Sequence, residues 1–172
     1  MTAEPAPDDV VVEPIRPEEA EDVARRMPWR KAGRHAERAI NQRRGSGVYL
    51  LAWKGGSPVG HAFVKWPGEL SSRQARAERC TEVEDLYVAP GARELGIGSA
   101  LLDAAEAASR SEGHLRIGLA VALGNDSARR LYARHGFRDA GHGVFTLRWT
   151  SLDDRGVERT WREQCTYLVK RL

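Results

Sequence analysis

The sequence predicts a single α/β domain built on a mixed, mostly antiparallel sheet flanked by helices. Three observations carry that expectation. Short alternating apolar runs recur between amphipathic stretches, in the order β-α-α-β-β-β-α-β-α-β-β. Turn-forming segments punctuate both ends, Lys54-Gly55-Gly56-Ser57-Pro58 early and Asp153-Asp154-Arg155-Gly156 late. Between them, an apolar strand runs through a glycine-bearing loop into a helix. A chain of 172 residues has room for one domain with a sizeable core, and no internal repeat or long linker divides it.

Each element follows from local chemistry. Residues 1–9 are rich in Pro and Asp, lack the basic start and apolar core of a signal peptide, and are expected to form a disordered tail ahead of a domain over 10–172. Residues 10–15 read as a first strand. Pro17 suits a first helical turn, Glu18 and Glu19 favour its positive end, and Ala20, Val23, Ala24 and Met27 share a face that Pro28 terminates. A second helix is expected over 29–44, with Ala32, Ala36, Ala39 and Ile40 on one face and Gly45 at its end. Its other face carries Arg30, Lys31, Arg34, Arg38 and Arg43, either as a solvated surface or as a guide for an acidic partner or a phosphate-bearing ligand. Strands follow at 48–53 and 59–66, then a polar connection over 67–79 and a strand at 82–88 closed by Pro90. The next helix buries Ile97, Leu101, Ala104, Ala105 and Ala108 and stops at Gly113. Alternation over 115–121 gives a strand, 126–135 a short helix ended by Gly136, and 144–150 and 165–172 two closing strands.

Composition narrows the class. The 27 basic residues against 24 acidic ones leave a net charge of +3, too small to suggest a nucleic-acid partner. Only four of the bases are lysine, a skew without a physical account. Cys80 and Cys165 do not make a disulfide framework, and the five histidines lack metal-ligand spacing, so no metal is expected. No apolar run approaches the roughly 20 residues of a membrane span. These features predict a cytoplasmic protein with no membrane partner.

The chemistry concentrates in Arg93-Glu94-Leu95-Gly96-Ile97-Gly98, which follows the apolar run Asp85-Leu86-Tyr87-Val88 and opens a helix from Ser99 onward. A strand, a short loop with small residues and a helix N-terminus together make an anion cradle, because bare N–H groups and the positive end of the helix converge there. Gly96 and Gly98 lack a Cβ that would keep a phosphate at a distance. No Lys-Ser/Thr pair follows, which excludes a P-loop, and Leu101 occupies the sixth position where a dinucleotide fingerprint needs Gly or Ala. Taken alone, the segment is also compatible with a capped turn.

A second motif, Asn125, Ala128, Leu131, Tyr132, Gly136 and Phe137, spells N-x-x-A-x-x-L-Y-x-x-x-G-F. The two motifs, in this order and about thirty residues apart, resemble the GNAT superfamily of acyl-CoA-dependent N-acetyltransferases, with the close likeness running from about Thr81 to Phe137. The resemblance implies a GNAT-like domain and acetyl-CoA as co-substrate. It implies that backbone amides of Glu94, Leu95, Gly96, Ile97, Gly98 and Ser99 receive the pyrophosphate, with Arg93 adding a fixed charge. Glu94 departs from the family's frequent glycine at that position, and its acid would repel phosphate unless turned outward.

The strand before the cradle carries its own signal. Val83 lies one step out of phase with Leu86 and Val88, and Glu84 and Asp85 sit at the slip, which reads as a β-bulge. In the family such a bulge opens a wedge for the pantetheine arm. Main-chain groups of Leu86, Tyr87 and Val88 would then meet that arm, one N–H facing the acetyl oxygen. Glu84 is the first candidate for the base, directly or through water; Glu82 and Asp85 are alternates, and all three acids are equally candidates for anchoring a cationic amine. Tyr132 is the candidate general acid toward the leaving sulfur. Asn125 is expected to cap its helix, to bond the pantetheine arm, or both. Trp29, Trp66, Trp149 and Trp161 would line the acceptor pocket or pack the core.

The leading expectation is acetyl transfer from acetyl-CoA to a small-molecule primary amine by direct attack in a ternary complex, since no cysteine lies near either motif. The alternatives are a macromolecular acceptor (a protein N-terminus, a lysine or an aminoacyl-tRNA) and a non-catalytic acyl-CoA-binding module. A homodimer through the closing strands is expected by family analogy alone.

Overall fold

A computed structural model describes residues 9–28, 33–69, 71–153 and 155–172. The expected tail over residues 1–8 and the expected start of the second helix, including Trp29, Arg30, Lys31 and Ala32, lie outside the described residues, as do Leu70 and Asp154. The strands are β1 (Val10–Pro14), β2 (Gly47–Lys54), β3 (Ser57–Lys65), β4 (Thr81–Val88), β5 (Arg116–Ala122), β6 (Arg138–Asp139), β7 (Phe145–Leu152) and β8 (Glu158–Arg171). The helices are α1 (Ala20–Arg26, entered through a 3-10 turn at Pro17–Glu19), α2 (Arg34–Arg43), α3 (Arg73–Glu78), α4 (Ile97–Ser111) and α5 (Asp126–Arg134). They form one mixed sheet in the order β1-β2-β3-β4-β5-β8-β6, with β7 also paired to β8. The β4–β5 pair is parallel and the other pairings are antiparallel, as the mixed, mostly antiparallel expectation holds.

Both faces of the sheet are covered, which is why β2 reads as a continuous apolar run rather than an alternating one. Leu50, Ala52, Ala62 and Val64 face one way, into a core completed by Ile97, Leu101, Leu102 and Ala105 of α4. Tyr49, Leu51 and Phe63 face the other way, against Ile15, Val23, Met27 and Ala39 beneath α1 and α2. The β2–β3 turn has positive φ at Gly55 and Gly56 (54° and 70°) between the paired Lys54 and Ser57. A two-residue hairpin loop of the type I′ kind needs that hand at both positions.

Four differences from the sequence expectation have local causes. α3 interrupts the expected polar connection: Ser72 Oγ accepts the Ala75 N–H at 3.0 Å, a cap ahead of good helix formers. β6 is only two residues long and too short to leave a periodic signal. β8 begins well before Cys165; its residues 158–163 are exposed, pair with β7, and stand out with it as a two-stranded ribbon. The fourth concerns α2. Ala36 and Ile40 are exposed, whereas His35, Arg38 and Ala39 are buried. The helix therefore turns part of its charged side, not its full alanine stripe, toward the sheet.

The core under α2 contains polar rings. His35 Nε2 donates to the Met27 carbonyl at 2.8 Å, so its Nδ1 accepts from the Tyr49 hydroxyl at 2.7 Å. His61 on β3 is 3% exposed, stacked on Tyr87 at 5.2 Å and edge-on to His35 at 5.5 Å. Burial first, and the neighbouring His35, Arg38 and Arg34 next, push the His61 pKa down to about 3, with the Asp85 main chain opposing them. Its folded pKa is thus below the unfolded value near 6.5. The unfolded chain takes up a proton that the folded protein refuses, so stability is lost as pH falls from 6.5 toward 3. By pH 5 the loss amounts to ~2 kcal/mol from this ring. Thermal melts of His61→Gln from pH 7 to 5 are expected to fall less steeply than wild type; parallel curves would assign the acid sensitivity to other groups.

Candidate active site

β4 is fully paired on one side only. Along β3 the register runs Lys65↔Glu82, Val64↔Val83 and Phe63↔Glu84, then shifts to His61↔Tyr87 and Gly60↔Val88. Asp85 and Leu86 thus share the place opposite Ala62, and Asp85 takes a left-handed φ of 56°. This is the bulge that the phase slip at Val83 implies. On its other edge β4 pairs with β5 at Thr81↔Ile117 and Glu82↔Gly118, and among the described residues that ladder stops there. β5 continues alongside β8 as far as Ala122↔Cys165. The parallel strands part over the bulge and leave an opening between two backbone edges.

Hydrogen-bond phase says which amides face the opening. Ala89 N–H donates to the Val59 carbonyl at 2.9 Å. Bonded pairs recur every second residue in an antiparallel ladder, so Tyr87 spends its amide on His61 and Val88 turns its own away from β3. Leu86 lies one period earlier on the same edge. Of the three residues expected to meet the pantetheine arm, Tyr87 is therefore committed to β3 in its main chain, and Leu86 and Val88 face the gap.

The cradle lies at the end of this strand. A 3-10 turn (Pro90–Ala92) leads through Arg93 to the α4 cap, Gly96, at φ 77°. The first helical bond runs from Ala100 N–H to the Gly96 carbonyl at 3.0 Å. The N–H groups of Ile97, Gly98 and Ser99 precede it, and Gly96 has no side chain with which to cap them. Such a terminus fits a pyrophosphate. Arg93 is exposed, its Nε 3.4 Å from the Val88 carbonyl, so its charge lies across the end of β4. Leu95 is 52% exposed. The two glycines serve different ends. A Cβ on Gly96 would meet nothing within 4 Å, and its positive φ is the reason for glycine. A Cβ on Gly98 would come within 3.1 Å of Leu131 Cδ2, so Gly98 allows α5 to approach α4. This packing role is additional to the close phosphate approach expected of Gly98 from the sequence.

The acids of β4 are already engaged. Glu82 is buried, accepts from Ser72 N–H at 3.2 Å and Ser72 Oγ at 2.5 Å, and pairs with Lys65 at 3.1 Å. Glu84 pairs through Oε1 with Lys65 and through Oε2 with Arg38, the latter at 2.8 Å. Asp85 pairs with Arg38 and, at 3.1 Å, with Arg34. Burial works to lower the Lys65 pKa, but Glu84 and Glu82 outweigh it and hold the ammonium above its ordinary value. Arg34 and Arg38 are thus neither a solvated face nor a docking surface, while Arg43 remains exposed. Sequence reasoning overlooked Lys65, Arg34 and Arg38 as partners; opposite charge clusters on α2 and β4 were the available signal.

α5 brings the second motif beside the opening. Asn125 Oδ1 accepts the Ala128 N–H at 3.1 Å, so it caps the helix. Tyr132 is the buried residue of α5, its ring 5.9 Å from Phe137, in the apolar cluster that also holds Ile97 and Val121 and on which Leu86 and Val88 pack. Burial raises its pKa to about 12, so the phenol keeps its proton at any working pH. Among the described residues no group of His, Cys, Asp and Glu could hold a metal ion, and no helix is long and apolar enough to cross a membrane.

Glu94 carries strain as well as charge. Its φ of 65° is a conformation that costs a residue with a Cβ ~1–2 kcal/mol. Glu94→Gly is expected to leave the melting temperature equal or higher and to tighten acetyl-CoA binding several-fold in calorimetry. Weaker binding would show that the carboxylate contributes to the cradle.

Residues 14–137 match the family model described as acetyltransferase (GNAT) family. No curated protein sequence matches the chain. Among solved structures, an N-acetyltransferase from Staphylococcus aureus Mu50 superposes with a TM-score of 0.69 at 14% identity, covering 95% of this chain and 99% of that one. A ribosomal-protein-alanine N-acetyltransferase from Brucella melitensis gives 0.66 at 20% identity, covering 94% and 99%. A GNAT family acetyltransferase from Elizabethkingia anophelis, solved with acetyl-CoA bound, gives 0.61 at 17% identity, covering 96% and 99%. With the family model spanning the strand, cradle and α5 motifs together, the chain belongs to the GNAT family of acetyltransferases, whose co-substrate is acetyl-CoA.

Proposed function

We propose that this protein is an N-acetyltransferase that moves the acetyl group of acetyl-CoA to a primary amine of a small molecule, by direct attack in a ternary complex. The observation that carries it is the parting of β4 from β5 beside the uncapped start of α4. Acetyl-CoA supplies a thioester whose carbonyl carbon can accept an amine. Amides of Glu94 to Ser99 and the Arg93 guanidinium would hold its phosphates, and the N–H groups of Leu86 and Val88 would meet the pantetheine arm and polarise the acetyl oxygen. Asn125 adds a cap to α5 in this scheme; a bond from it to the arm remains compatible with that role.

Direct transfer is favoured over an acyl-enzyme because both thiols are poor nucleophiles. Cys80 and Cys165 are buried, and burial pushes the Cys80 thiol up to about 11. Two free buried thiols also suit a reducing compartment, and we place the protein in the cytoplasm. A small acceptor is favoured because Arg34 and Arg38, the basic residues that would dock an acidic macromolecule, are spent on β4. The carboxylates of Glu82, Glu84 and Asp85 face Lys65, Arg34 and Arg38, so the site holds little surplus charge with which to capture a polycation. The exposed cross-strand pair Trp149 and Trp161 on the ribbon supports a homodimer through the closing strands; sedimentation of a single monomer at all concentrations would remove that part.

Glu84 serves as the base through water. Each of its oxygens already accepts from a cation, yet the side chain is 29% exposed and keeps lone pairs for a solvent relay. Tyr132 serves the leaving sulfur. With the phenol near 12 and a thiol near 8.5, complete proton transfer is uphill by ~5 kcal/mol. Its contribution is therefore a hydrogen bond that strengthens as charge builds on sulfur.

A CoA-release assay over an amine panel tests the whole. Tyr132→Phe is expected to lower kcat by roughly tens-fold or more, toward the low end of the roughly 10² to 10⁴ typical of acid–base groups, while leaving the shape of the pH profile unchanged because the phenol does not titrate in range. Glu84→Gln is expected to lower kcat/KM and to change the acidic limb. A near-normal kcat in Tyr132→Phe, with chemistry rate-limiting, would make Tyr132 a packing residue. A rise in KM alone for Glu84→Gln would make that acid an anchor.

A further inference from the structure

The bulge of β4 forms at Asp85, whose carboxylate pairs with Arg38 and, at 3.1 Å, with Arg34. Arg38 Nε donates to Asp85 Oδ2 at 2.9 Å, and its Nη2 reaches both Asp85 and, at 2.8 Å, Glu84 Oε2. The same guanidinium lies 4.3 Å from the centre of the Phe63 ring, and Phe63 is the β3 partner of Glu84 on the last rung before the register shifts. Arg38 is 4% exposed. A planar fork packed on one strand therefore grips two consecutive acids of the next, at the point where that strand leaves register. Asp85 holds its left-handed φ within this grip. The backbone that follows, Leu86 to Val88, turns two amides into the opening.

We propose that Arg38 is a positioning residue, setting the pitch of the β4 bulge and hence the aim of the Leu86 and Val88 amides, through Asp85 and Glu84 and without touching either substrate. The proposal rests on the role given above to those amides. Arg38 comes from α2, outside both sequence motifs, so the geometry of acetyl transfer depends on a helix that the motifs do not include. A lysine could not replace it: an ammonium carries the charge but not the fork that engages two carboxylates at fixed spacing. Misplacement of a reacting group by about 1 Å can cost roughly a hundred-fold in rate.

Arg38→Lys is expected to lower kcat about ten-fold or more, with the acetyl-CoA thermal shift retained and amide hydrogen exchange over 84–89 faster in the ligand-free protein. Asp85→Gly lets the left-handed turn form without a clamp. Adding Arg38→Lys to Asp85→Gly should then cost much less in kcat than it costs in wild type. Should Arg38→Lys fail to fold, Asp85→Asn keeps the residue's size while removing the charge that Arg38 grips, and the same drop in kcat is expected. Equal losses in both backgrounds, unchanged exchange over 84–89, or a kcat loss matched by the loss of folded protein would overturn the proposal and leave Arg38 as a tie between α2 and the sheet. Wild-type protein that releases no CoA with any amine would overturn the parent function and the chemical part of this proposal together, whereas exchange unchanged by Arg38→Lys in an active enzyme overturns this one alone.

Discussion

The structure depends on a strand that must hold its partner on one edge and abandon it on the other. β4 stays paired to β3 through Val88 but leaves β5 after Glu82. An unpaired backbone edge inside a sheet is costly unless water or a ligand satisfies it. The opening suits a ligand with donors and acceptors of its own, because β5 has moved away from the main-chain groups that line it. The extra residue at Asp85 supplies the bend, and the α4 N-terminus provides a second set of uncommitted donors a few residues downstream.

Charge holds that shape. Acids on β4 are drawn against cations on α2 and β3 in a partly buried cluster, in which Glu84 and Asp85 each meet two cations. Ion pairs of this kind add little net stability beside a hydrophobic replacement. What they add here is direction, because a guanidinium with a fixed fork permits few arrangements of two carboxylates. The arrangement also changes what the acids can do. Glu82 is bonded to Ser72 and Lys65, and Asp85, at its left-handed φ, is held by Arg38.

The parts of this protein governed by local rules were legible in the sequence. The bulge showed as a one-residue phase slip at Val83, because side-chain period and strand register are the same fact seen twice. The α5 cap at Asn125 showed because capping is a property of a few adjacent residues, whereas α4 starts at Ile97, ahead of the expected Ser99. The orientation of α2 did not show. Its alanine stripe had the right period, but alanine buries little area, and the attraction between Arg38 and two acids nearly fifty residues away overrode it. The contact of Gly98 with Leu131 did not show for a similar reason: Leu131 lies on another helix. α3 was hidden by its brevity and polar composition, and the start of β8 by exposure on both faces, which removes the alternation that marks a half-buried strand.

Gly98 and Leu131 also join the two halves of the site. Tyr132 follows Leu131 on α5, and Leu131 packs where a Gly98 side chain would be. Tyr132 and Leu131 share one apolar cluster with Ile97 of α4, so the α5 motif and the cradle helix meet in the same core. The sulfur and the pyrophosphate are the two ends of one ligand arm, so a bound arm must pass between these two recognition points. α2 stands outside both motifs yet reaches β4 through Arg38, so the donor side of the site rests on more than the two motifs.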